Sequence, residues 1–558
     1  MVDTKAGHKG GHPVRKLINW SIVLLSAGLV LIVALNVRLP PGANSPLVTP
    51  GPAVTFATSP LKANGDVDYL GFLHQKYGEG VSPETNFAVD LVQIVGPRPD
   101  DREVDAKFFE MLGTEVPPVD GQYHETLDRW LKRQGTAANF NRQLQSIVNS
   151  KVQLTANDFY GLALSMPLNP EVFTDILQWR DEMSPLLERI RHAAEKGHRY
   201  TPILGDSFFA GRLPYAMSVR EVARSLCVSA LSHIAEGNID AAITDYRAIA
   251  RMARLYGDSG PLVEHLVGLA LEGVSHQVLR HIVYSGLCTA DNLERLATEL
   301  TALGEMPVWN TVSLTHERCY VLEMARSLGR RDFSSLNEMR FGLGSNESNR
   351  GAWRSYFVDW KSVLHTINSE YDQLDSLLTS FPTGIAHFSA LEDREQSLAN
   401  WVNRQWQNER PNLPRWIFGG PVFRGQVMAH EIASFASIEP ISKADRRVLA
   451  HFRVLATAVA IERYRVHYGE NPKTLEALVP EFLQVEPIDL WTGKTLVYRV
   501  SGDTYQLYSV GQDRRDHGGA DMEEESYPEY DLVAVPKKRT IEEWLMINTD
   551  FDPNAEDE

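Results

Sequence analysis

The densest group of chemically versatile side chains in the sequence is "LTHERCYVLEM", which places His316, Glu317, Cys319 and Glu323 on one predicted helix. Residues three apart share a helix face, so His316 is positioned to take the proton of the Cys319 thiol and leave a nucleophilic thiolate. Helix neighbours of this kind also arise by chance, and a free cysteine is more often a small core side chain than a nucleophile. Two other histidine groups are less specific. "AHEIASF" has His430 and Glu431 but lacks the second histidine of a zinc-peptidase helix, and "HAAEKGH" sets His192 and His198 at a polar helix end. A fourth feature is the stretch "YQLYSVGQDRRDHGG", a strand running into a glycine-ended loop with Asp513 and Asp516, followed by Asp521. Its aspartates do not follow the regular alternation of an EF-hand, and Arg514 and Arg515 stand among them. The sequence has no GxSxG, GxxxxGK[ST], HExxH or strand-following GxGxxG motif. Carboxylates assembled only by folding leave no local trace, so the absence of motifs does not exclude an enzyme.

The elements that would position these residues belong to a chain of 558 residues with 43% hydrophobic and 23% charged residues, ordinary values for a globular protein. That length suffices for two or three domains with real cores. A formal net charge of −17 argues against nucleic acid as a partner, because phosphate recognition needs clustered Lys and Arg. The three cysteines, Cys227, Cys288 and Cys319, are too scattered for a disulfide framework or a cysteine-rich zinc site.

Residues Leu17 to Val37 carry no charge and match the length of a membrane-spanning helix. Lys5, Lys9, Arg15 and Lys16 precede the stretch, whereas Arg38 alone follows it closely. The positive-inside rule then predicts a cytoplasmic tail over residues 1–16 and a bilayer contact through residues 17–37. Everything after the span, the bulk of the chain, is expected to be extracytoplasmic. Residues 38–65 hold many prolines and read as an extended spacer.

Over residues 66–440 the pattern predicts an α-helical ectodomain. Ser82 is the expected N-cap of a helix whose first position is Pro83, with Phe87, Leu91 and Ile94 on its core face. "SLCVSALSHIAEGNIDAAITDYRAIARMARLYGD" predicts a helical hairpin from Ser225 to Asp258. Its centre, "GNIDAAITDYRAIA", resembles the turn and second helix of a tetratricopeptide repeat, with Ala242 and Tyr246 at packing positions. No second copy follows at the repeat spacing, so one helical hairpin is all that the resemblance supports. Residues 329–421 read as loop-rich helical structure with Trp353, Trp360, Trp401, Trp406 and Trp416 scattered through it. Core packing explains these tryptophans better than a carbohydrate groove does.

The C-terminal part, residues 441–535, predicts a long helix capped at Ser442, then a break at "YGENP", a short Leu-rich turn and the strands "TLVYRV", "YQLYSV" and "DLVAV". The order of landmarks in "HYGENPKTLEALVP", "DLWTGKTLVYRV" and "YQLYSVGQDRRDHGG" resembles the globular half of the type II secretion major pseudopilin. The hydrophobic assembly helix and the leader of that family are missing here, so the resemblance is to a module and not to a processed subunit. It implies calcium in the aspartate loop, with Asp513 and Asp521 at the matching carboxylate positions and Asp516 between them. The alternative is an acidic, solvated turn whose glycines supply positive φ. Residues 536–558 read as an acidic tail. The whole layout resembles large membrane-anchored proteins of planctomycete-type genomes, a resemblance that brings architecture and no activity.

The expected fold class is therefore mainly α, with an N-terminal transmembrane helix and a small C-terminal α+β unit. The expected role is a scaffold or interaction protein of the cell envelope with an envelope protein as partner. The competing role is an exported hydrolase with its site in the helical part.

Overall fold

A computed structural model describes residues 37–549, apart from 136, 149–152, 206–207, 210, 259, 333–355, 408–419, 434–438, 520–530 and 535–539. The described chain is mainly helical and carries a small antiparallel sheet before its last helix. The first helices are α1 (Pro52–Thr55), α2 (Tyr69–Gly78), α3 (Phe87–Val95), α4 (Ala106–Leu112), α5 (Leu127–Gln134) and α6 (Ala137–Ile147). Then come α7 (Ala156–Ser165), α8 (Thr174–Ala193), α9 (Ser218–Ala235), α10 (Ile239–Gly257), α11 (Leu262–Val283) and α12 (Ala290–Leu303). The last are α13 (Thr311–Arg330), α14 (Trp360–Ser380), α15 (Gly384–Gln407), α16 (Gly420–Ala433), α17 (Glu439–Tyr468) and, after the sheet, α18 (Ile541–Asn548).

Local chemistry starts several of these helices. Thr155 and Asp158 form a capping box on α7, Thr289 and Asn292 form one on α12, and Thr540 and Glu543 form one on α18. The predicted hairpin is α9 and α10, turned at Gly237 (φ 78°) and capped by Asn238, which accepts the Ala241 amide. Two predicted caps move. Ser82 bonds with Thr85 in a turn, and Asn86 caps α3 instead, accepting from Ala88 N while also gripping the Tyr200 backbone. Ser442 lies inside α17, which begins earlier with Pro440 in its first turn, where a missing N–H costs no hydrogen bond.

Two apolar cores organise the molecule. The larger joins α3 through α12 to α17, the sheet and α18, so it runs unbroken across residue 440. α17 makes this possible because Leu449, Val454, Leu455, Ala458, Val459 and Ile461 are all buried, which leaves it apolar on more than one side. One side meets α11 and α12 and the other meets the sheet. The smaller core gathers α2, α13, α14 and the segment before α2. Residues 38–65 are thus no free spacer. Ala57 is buried, Asn368 donates to the Pro52 carbonyl, and Asp66 is held by Arg326 and Arg330 of α13. Among the predicted tryptophans, Trp360 packs in this core, whereas the side chains of Trp353, Trp401, Trp406 and Trp416 lie outside the described residues.

The sheet has the order β1–β2–β3. β1 (Val497–Ser501) pairs with β2 (Thr504–Ser509) across a two-residue turn, and β3 (Leu532–Val533) pairs with β2 on the other side. Asp489 ties the connection together, accepting from the backbone amides of Trp491 and Val510 at 2.7 and 2.9 Å.

The topology expected from the sequence needs correction. Among the described residues no helix is long and apolar enough to cross a membrane. The long helices carry charges along their length, as α17 does at Asp445, Arg446 and Arg453, and they are packed against other protein elements. That finding overturns the anchored, extracytoplasmic placement. Residues 17–36 of the expected span lie outside the described residues.

Candidate functional site

The C-terminal half of α11 presents one stripe, Gly273, Gln277, Arg280, His281 and Tyr284, at spacings that keep these residues on a single helix face. This stripe is the floor of a cleft of about 1160 Å³. The end of α7 and the end of α9 form one wall through Ser165, Met166, Ile234 and Ala235. Glu462 and Arg465 of α17 form the opposite wall, together with Asp503, Thr504 and Tyr505 at the β1–β2 turn. Trp544 of α18 also lines the cleft. The cleft therefore exists only where the sheet and α17 dock onto the helices.

Its polar groups are ordered. Tyr505 Oη donates to Glu462 Oε1 at 3.0 Å, and Tyr284 Oη lies 3.1 Å from Tyr505 Oη. Because Tyr505 has given its one proton to Glu462, Tyr284 must be the donor in the second bond. Burial raises the Glu462 carboxyl above its ordinary value, a rise opposed by Arg465 (3.3 Å away) and by the Tyr505 hydroxyl. On the floor, burial and then the neighbouring Arg280 lower His281 to about 4, and its ring bonds to the Ser165 backbone. His281 is neutral at pH 7. Trp544 Nε1 donates to Ser165 Oγ at 3.1 Å, and Gln277 donates to the Leu164 carbonyl.

The residues singled out in the sequence do not converge on one site. Cys319 is fully buried, and burial pushes its thiol well above its usual value, which disfavours the thiolate. His316 turns to Glu317 at 3.0 Å and packs on Phe208, while Glu323 is spent on Arg326 and Lys62. His192 and His198 are exposed. His430 donates to the Gln426 carbonyl and lies 3.6 Å from Glu370, and the Glu431 side chain lies outside the described residues. The cysteines are free thiols, with Cys227 and Cys319 buried.

In the aspartate loop, Asp513 accepts from Arg515 N and pairs with His517, both at 3.0 Å. Asp516 accepts from Tyr508 Oη and Gly518 N at 2.8 Å and pairs with Arg499 at 2.6 Å. Asp521 lies outside the described residues. Asp531, which sequence reading passed over, is fully buried and accepts from His517 N and Gly519 N at 3.0 and 2.8 Å. Its other oxygen, Oδ1, has no hydrogen-bond partner among the described residues. Among the described residues no group of three His, Cys, Asp or Glu side chains is placed to hold a metal.

Two further contacts had no sequence signal because their members are far apart in the chain. His124 Nε2 lies 2.9 Å from Ser225 Oγ, the geometry of a nucleophile and its base. Ser225 is fully buried, which keeps its hydroxyl out of reach of substrate, while His124 is partly exposed and burial lowers it to about 4. His265 and Asp445 form an ion pair at 2.7 Å, with each side chain only 1% exposed. No family model matches the chain, and neither a curated protein nor a solved structure is similar to it at a significant level.

Proposed function

We propose that the chain is a non-catalytic binding protein, a helical scaffold whose C-terminal α+β unit completes the wall of a ligand cleft. The observation that carries this reading is the composition of the cleft. It draws its polar groups from α11, α17 and the hairpin turn, and those groups are held by one another in a way that suits recognition. The serine and threonine hydroxyls of the lining donate to backbone carbonyls, Ser165 to Gly161, Ser285 to Ile282 and Thr504 to Ser501, while His281 is engaged with the Ser165 backbone. The hydroxyl that meets a carboxylate is the Tyr505 phenol, which donates a hydrogen bond to Glu462 and is a poor nucleophile. The test is a panel of chromogenic esters, glycosides and peptides offered to the full chain. No turnover is expected. Hydrolysis that disappears in Glu462→Gln would replace this reading with an enzyme whose acid is Glu462.

A pseudopilin-like identity for residues 441–535, with calcium in its loop, is the second reading. The order helix, turn, hairpin, aspartate loop and third strand supports it, as does Asp531 Oδ1, which has no partner among the described residues. Thermal unfolding with calcium and with chelator decides it. A calcium-dependent rise in melting temperature that Asp531→Asn and Asp513→Ala remove supports an ion site. An unchanged melting temperature makes the loop an acidic turn held by its own hydrogen bonds.

A further inference from the structure

The cleft's lining also points to the chemistry of its ligand, an inference that rests on reading the cleft as a binding site. We infer that it takes a neutral, hydroxyl-rich chain of rings, an oligosaccharide.

Charge supplies the first argument. Arg280 and Arg465 line the cleft together with Glu462 and Asp503, so the two signs balance. An anion would meet the two carboxylates, and a cation would meet the two guanidiniums. A neutral ligand meets neither opposition. A hydroxyl group, which both donates and accepts, makes use of both kinds of lining group at once. Ser165, Ser285 and Thr504 add further hydroxyls, and the rings of Tyr284 and Tyr505, tilted by 49°, offer amphipathic surface against the C–H face of a sugar.

The second argument is Gly273. Glycine is less favourable than alanine inside a helix, yet it stands in the interior of α11. A Cβ added there would meet no atom within 4 Å. No packing contact among the described residues demands the glycine, and the missing side chain leaves bare helix backbone in the cleft floor. Size agrees with this. At about 1160 Å³ the cleft exceeds the roughly 300–1,000 Å³ of sites that hold a single drug-sized molecule, which leaves room for more than one ring. A peptide strand would also be neutral, but such ligands dock along a free strand edge or into apolar side-chain pockets. The hairpin reaches this cleft by its turn end, Asp503 to Tyr505.

The test compares the full chain with Gly273→Phe, whose Cβ enters open space and whose ring occupies the floor, and with the smaller Gly273→Leu should the first fold poorly. Both are probed on an array of neutral and charged glycans, and hits are titrated calorimetrically. The same titrations are run with a library of neutral peptide amides. The expected result is binding of a neutral oligosaccharide, at least tenfold weaker in the variant, with the melting temperature unchanged or raised. Glycan binding that the variant retains, or a preference for anionic glycans, overturns the ligand assignment. Peptide binding lost in the variant overturns the saccharide while leaving the cleft a binding site. Silence from both libraries overturns the two readings together.

Discussion

Asp445 and Glu462 are both carboxylates on α17, both nearly buried, and they behave differently. Asp445 is sealed. Its Oδ1 accepts from His265 Nε2 at 2.7 Å and its Oδ2 accepts from Trp309 N at 2.8 Å. The other His265 nitrogen donates to the Gly257 carbonyl at 3.0 Å, so both ring nitrogens face acceptors and the imidazole is held as a cation. Burial alone would lower His265, but Asp445 overrides it and raises the value. Glu462, 8% exposed, has a neutral phenol and the partly exposed Arg465 for partners, and it faces a cleft. Burial of an acid is therefore no mark of function. What separates the two is a partner that can give way and open space on the far side. Between them, His451 packs on His276 with ring centroids 5.0 Å apart. Burial, and then the charges of His276, Arg280 and Arg447, hold its value well below the usual range for histidine.

The strongest way to break this comparison is Asp445→Ala, which strands the His265 cation in the core and should cost about 3–5 kcal/mol in urea unfolding. A loss below about 1 kcal/mol would show that the pair does not clamp α11 to α17. Titration gives the next effect, of opposite sign on its two arms. Below about pH 6.5 the unfolded chain protonates histidines that the fold keeps neutral, so stability falls as pH drops. For His124, partly exposed and held to about 4, that loss is at most on the order of 3 kcal/mol by the time the pH reaches its native value. His265 has a raised native value, so its contribution is complete below about pH 6.5 and fades as pH rises through that value. Denaturant midpoints across pH should therefore peak near 6.5, and Asp445→Asn should remove the alkaline decline while sparing the acid arm. A smaller effect is expected at the open end. Tyr505→Phe removes the bonds to Glu462 and from Tyr284, at a site with solvent nearby, and should cost about 1–2 kcal/mol, in contrast to the sealed pair. Smallest, and opposite in sign, is Gly273→Ala, which should stabilise α11 by about 0.5–1 kcal/mol because the new methyl enters open space. A destabilised Gly273→Ala would mean that the cleft floor is closed in solution.

Much of the fold was legible locally. The α9–α10 hairpin forms within the predicted Ser225–Asp258 segment and turns at the glycine that opens "GNIDAAITDYRAIA", and the predicted strands "TLVYRV" and "YQLYSV" pair with each other. Apolar periodicity and capping residues act within a few positions, so they can be read without knowing the rest of the chain. The caps that moved show the boundary of that approach. Asn86 wins over Ser82 because it also bonds to Tyr200, a partner far along the chain that no local rule supplies. The site was harder to read. Tyr284, Glu462 and Tyr505 are ordinary residues in their own segments, and only docking of the sheet against α11 brings them together.

By itself, then, the sequence determined the mainly helical class, the order of helices and the final hairpin, since periodicity, caps and turn residues are properties of neighbouring positions. Tertiary packing decided which polar residues matter. It buried Cys319 and Ser225, sealed Asp445 against His265, laid the proline-rich segment onto α13 and α14, and left Glu462 facing a cleft. The physical reason is that desolvation and hydrogen-bond partnership, which set the protonation and reach of a side chain, depend on atoms contributed by distant segments.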